Sequence, residues 1–72
     1  VDVLVYPNPA VEEIWITNSL GISDTQKFLF DAMGRVLVQT RAEKIDISAY
    51  SSGVYFIQNP ELSNELVKVI KP

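Results

Sequence analysis

Nine carboxylates and six cations are the charged groups this 72-residue chain offers for chemistry, and it contains no histidine and no cysteine. A serine or threonine nucleophile therefore has no imidazole to take its proton, thiolate chemistry is closed, and a histidine metal site is excluded. Bond breaking would fall to a carboxylate pair. Glu12 and Glu13 are chain neighbours, and on a strand neighbouring side chains point to opposite faces, so they do not form such a pair. A chain this short also lacks depth for an enclosed pocket of the usual roughly 300 Å³ or more. What remains is the chemistry of recognition. It concentrates near the end, where Lys68 and Lys71 interleave with Leu66, Val67, Val69 and Ile70. An edge strand of that composition can receive a partner strand by backbone pairing, or be read by a partner matched in shape and charge. An ordinary last strand, whose lysines discourage aggregation, has the same composition.

The elements that position these residues are strands. Residues 1–6 are apolar and β-branched and stop at two prolines, which cannot donate to a ladder. Residues 11–18 alternate, with Ile14 and Ile16 on one face against Glu13, Trp15 and Thr17. Residues 20–26 read as a loop. Residues 27–30 and 35–40 flank Asp31-Ala32-Met33-Gly34, whose first and last residues suit a type I turn closed by a left-handed glycine. Residues 44–47 form a short strand, 48–52 a corner, 53–58 the most strand-like run, and 65–71 the last strand after a turn at Asn59-Pro60. In that final run Val67, Val69 and Ile70 favour strand over helix. Seven short strands, no convincing helix and a turn signal every ten residues or so predict an all-β fold. The expected architecture is a small antiparallel immunoglobulin-like β-sandwich.

The apolar share of 47% supports a packed core, and residues 1–72 read as one domain. Its stability is thin, because one core of this size supplies roughly 3–5 kcal/mol and no disulfide or zinc reinforces it. The net charge of −3 and the lack of a basic stripe argue against nucleic acid as a partner. No apolar run approaches the roughly 20 residues of a membrane-spanning helix. Val1 opens directly into a strand-like run, so the chain reads as a piece of a longer precursor.

Three phrases punctuate this pattern: Tyr6-Pro7-Asn8-Pro9-Ala10, Asp31-Ala32-Met33-Gly34-Arg35, and Ile45-Asp46-Ile47-Ser48 leading to Ser52-Gly53-Val54-Tyr55-Phe56. The prolines stiffen the first connection. Gly53 allows a backbone angle or a close approach that a Cβ would block. Tyr55 is placed to bury its ring and return its hydroxyl to the preceding corner, as in the tyrosine corner of related sandwiches. Tyr50 needs a hydrogen-bond partner if buried and so is expected half-exposed. By alternation Trp15 faces outward, where it anchors a partner or covers a sheet face.

In order and spacing these phrases resemble the C-terminal sorting domain of the type IX secretion system of Bacteroidetes, over nearly the whole chain. Tyr6, Pro7, Asn8, Pro9, Asp31, Gly34, Gly53 and Tyr55 carry the family pattern, mainly as structure. Tyr50, where the family has leucine, and the turn over residues 59–64, where it often has glycine, depart from it. The resemblance implies a non-catalytic signal without cofactor or metal, attached behind a cargo domain. It implies passage through the periplasm, recognition of Leu66, Val67, Lys68, Val69, Ile70 and Lys71 by an outer-membrane translocon, and removal by a sortase-like protease. The cargo then resides at the cell surface or outside the cell. Two other classes compete: a carbohydrate-binding or adhesive module retained on a secreted enzyme, using Trp15 and the tyrosines, and a structural spacer. An open last strand also predicts self-dimers by strand pairing.

Overall fold

The computed structural model describes all residues, Val1–Pro72, and contains seven strands and no helix. They are β1 (Val3–Tyr6), β2 (Glu13–Asn18), β3 (Lys27–Asp31), β4 (Val36–Thr40), β5 (Lys44–Asp46), β6 (Gly53–Gln58) and β7 (Leu66–Lys71). Two antiparallel sheets form, one in the order β1-β2-β5 and the other β4-β3-β6-β7. Lettered A, B, C, C′, E, F and G in chain order, they are the A-B-E and C′-C-F-G sheets of an immunoglobulin-like sandwich. The all-β expectation holds, with strand ends displaced by a residue or two. The first strand begins at Val3, although Ser19 N still donates to Asp2 O at 2.9 Å, and the second begins at Glu13, once the chain has left its proline connection.

Alternation decides which side chains meet between the sheets. Ile14 and Ile16 of β2, Ile45 of β5, Leu29 of β3, Tyr55 and Ile57 of β6 and Val69 of β7 point inward and are buried, joined by Ala10 and Ile47 from the connections. Truncating one of these aliphatic residues to alanine costs about 2–5 kcal/mol, comparable with the whole stability of so small a core. Leu29 turns inward, and Phe28 and Phe30 stack on the outer face with ring centroids 6.2 Å apart. A register shift beside Leu29 and Phe30 lets the neighbouring Leu37 and Val38 both pack on the core.

Candidate recognition site

Strand β7 pairs only with β6, from Gly53↔Lys71 to Gln58↔Leu66, and so is an edge strand. Its inward residues are Val67, Val69 and Lys71. Its outward row is Leu66, Lys68 and Ile70, with Leu66 57% and Ile70 41% exposed.

The six cations divide sharply. Lys71 donates to the carbonyls of Ile47 (2.8 Å), Ser48 (3.1 Å) and Tyr50, tying β7 to the β5–β6 corner. Lys27, wholly buried, donates to the carbonyls of Ser23 (3.0 Å), Thr25 (2.9 Å) and Arg41 (3.1 Å). Burial pushes the Lys27 ammonium below the ordinary lysine value, against the nearby Glu43 carboxylate, which raises it. Arg35 pairs with Asp31, Arg41 with Asp24 and Glu61, and Lys44 with Glu13. Lys68 alone has neither a carboxylate nor a carbonyl partner.

The proline phrase reaches this strand from the far end of the sequence. The Asn8 side chain donates through Nδ2 to Lys68 O at 2.9 Å and accepts from Ile70 N at 3.0 Å. Ala10 N then donates to Ile70 O at 2.9 Å. Asn8 thus imitates one residue of a neighbouring strand. The flanking Pro7 and Pro9 carry no N–H, so the cap offers less of a new edge to pair with. The connection expected to be only a stiff turn also covers part of the closing edge, and β7 is less open than the sequence suggests.

The other phrases build corners. Asp31 Oδ1 accepts from the N–H groups of Met33 and Arg35, both at 2.9 Å, and Oδ2 from Arg35 Nε at 2.7 Å. Gly34 closes that turn at φ 85°, its N–H 3.0 Å from Asp31 O. Gly53 has φ 156° with nothing near the site of a Cβ, so its backbone angle and not crowding favours glycine. Tyr55 Oη donates to Ser51 O at 2.5 Å, and its ring lies 5.9 Å from that of the half-buried Tyr50. Beside the Asp31 hairpin, Phe30, Met33, Phe56 and Leu66 line an open depression of about 480 Å³. The sequence led us to expect no hollow of that size; outward-facing rings next to a protruding turn create it. The only carboxylate there, Asp31, is already engaged. Trp15 is 38% exposed with the Lys44 ammonium 5.6 Å from its ring centroid, so one face of the ring is occupied.

Sequence reasoning passed over Lys27 and Asn18. The parity of Leu29 would have turned Lys27 inward. Asn18 accepts from Leu20 N (3.0 Å) and Ile22 N (3.2 Å) through Oδ1, organising the loop after β2, and an Asn at a strand end before glycine was the available signal.

Fold and site together define a small sandwich-type recognition module, with an edge strand fastened at one end by Lys71 and along one side by Asn8. The chain matches the family described as "Secretion system C-terminal sorting domain" over residues 4–71, and it belongs to that family, the sorting domains of type IX secretion. Membership implies cargo in the same precursor, contact with the secretion machinery, and export to the cell surface or beyond. No curated protein and no solved structure matches the chain.

Proposed function

We propose that this domain is the part of an exported precursor that an outer-membrane translocon reads after transit of the periplasm. A sortase-like protease then separates it from its cargo, which is released or attached to anionic lipopolysaccharide. The protease chemistry belongs to the partner, and this chain supplies shape and charge. The observation that carries the reading is the outward row Leu66, Lys68 and Ile70. Five of the six cations serve the fold, and the one left over projects between two exposed aliphatic side chains on the closing strand.

Fusion of the chain to a secreted reporter tests this. Deleting residues 65–72 is expected to hold the reporter in the periplasm, and unimpaired export would refute the proposal. Because that deletion also removes the core residue Val69 and the Lys71 tether, Lys68→Glu is the sharper variant. It alters one exposed group, and is expected to lower export at least about tenfold while leaving thermal stability within roughly 0.5 kcal/mol.

A further inference from the structure

The backbone of β7 is unevenly covered along its free edge. The bonds from Asn8 and Ala10 show that Lys68 and Ile70 direct their N–H and C=O groups away from β6. By strand alternation the N–H of Lys68 and both groups of Leu66 point the same way. No hydrogen bond from a side chain or a connecting segment reaches these three, whereas Asn8 holds Lys68 O and Ile70 N, and Ala10 holds Ile70 O. Asn8 is exposed, and Ala10 is wholly buried. The cap therefore has a part that can lift into solvent and a part anchored in the core.

We infer that the free edge of β7 is a strand-addition site held half closed by Asn8. Its occupant is an extended segment of a partner protein with a carboxylate opposite Lys68 and apolar side chains two residues to either side. Three backbone groups are open for first contact, and two more are released when Asn8 swings away. Side chains of an added strand on the outer face lie beside Leu66, Lys68 and Ile70, where cross-strand pairing favours opposite charge at the centre and aliphatic contact at the flanks. A second copy of β7 is the poorer occupant. Antiparallel pairing centred on Lys68 sets two ammonium groups face to face. The inference rests on the reading of β7 as the recognised strand and adds what recognises it.

The probe is a blocked peptide with a central glutamate and valine two residues to either side, titrated into the 72-residue chain and followed by amide chemical shifts. Asn8→Ala is expected to bind it about tenfold more tightly than the parent, since two competing hydrogen bonds are gone. The shifts should fall on Leu66, Lys68 and Ile70, and the Ile70 amide should lose exchange protection in the free protein. Asn8→Asp, which keeps the acceptor and loses the donor, is expected to fall between. Lys68→Glu should prefer the same peptide with a central lysine. Equal affinity for parent and Asn8→Ala, shifts elsewhere, or dimerisation of Asn8→Ala in place of peptide binding would overturn the proposal. Export that depends on β7 without any strand binding removes this inference alone. Strand binding with export indifferent to β7 removes the secretory reading and leaves the site.

Discussion

At one end of the sandwich Lys27 enters β3 with its ammonium wholly buried among three carbonyls. At the other, Lys71 leaves β7 half-exposed with three of its own. The surroundings differ. Around Lys27 the loops are also cross-linked by Arg41, which donates to Asp24 Oδ1 at 2.7 Å, Asp24 O at 2.7 Å and Glu61 Oε1 at 3.1 Å. Strand β3 itself lies inside its sheet, between β4 and β6. At the Lys71 end the Asp31–Arg35 ion pair stays within a single turn and links no second loop, and the lysine sits on the edge strand. The fold is thus braced most strongly away from the end of its closing strand. The corner formed by residues 47–52 is tied to the end of β7 by Lys71 and by the Ser52 hydroxyl, which donates to Pro72 O at 2.8 Å.

Breaking the stronger brace should cost the most. Lys27→Met keeps the aliphatic stem but leaves carbonyls without their charged donor, and should destabilise the fold by about 1.5–3 kcal/mol in a denaturant titration. The same change at Lys71, where water can replace the ammonium, should cost about 0.5–1.5 kcal/mol. It should also speed amide exchange at Tyr50, whose N–H donates to Ile47 O at 3.1 Å. Equal costs at the two sites would erase the asymmetry. Lys27 sharpens it further through pH. Its depressed native value means the unfolded chain binds more protons in the window just below the ordinary lysine value, so stability rises as pH climbs through that window. Lys27→Met should flatten that rise.

Tyr55→Phe tests the weaker end from inside the core. The ring remains and only the bond to Ser51 O is lost, so the expected cost is about 1 kcal/mol. Heavier loss of protection at the corner than at the Asn18–Ile22 loop would support the comparison, and uniform loss would not.

What the sequence discloses follows the range of the interaction. The Asp31–Gly34 turn is legible because every bond that makes it spans four residues or fewer. Ile14 and Ile16 are legible because alternation needs only adjacent residues. The Asn8 cap joins residues 60 and 62 positions apart through a side chain that imitates backbone, and no periodicity encodes that. Lys27 shares the parity of Leu29, yet a rule that sends charges outward reads past it. Its burial depends on carbonyls from three separate positions converging, which only the folded chain specifies. The outward row of β7 lies between these cases: its alternation is plain, but that Lys68 has no partner emerges only once the other five cations are seen engaged.

The smallest effect concerns acid. Asp31 is held below the ordinary carboxylate range, first by the Arg35 N–H and then by the Arg35 side chain and the Met33 N–H. Asp46 is held below it by the Ser48 hydroxyl and N–H. Both turns lie at the Lys71 end, since Asp31 stands opposite Tyr55 and Asp46 precedes the corner. Between the depressed native values and the ordinary value near 4, the unfolded chain binds more protons than the folded one. Their contribution is therefore complete above about pH 4 and drains away as pH falls through the native values. Asp46 is exposed and Asp31, though partly covered, lies in a surface turn, so the loss should be modest and local. On acidification the Met33, Arg35 and Ser48 amides should lose protection before those of Leu62 and Ser63, which donate to Asn59 O at the opposite end, each at 3.0 Å. Simultaneous loss at both ends would mean that acid unfolds the sandwich as one unit, and the difference between its ends would not extend to pH.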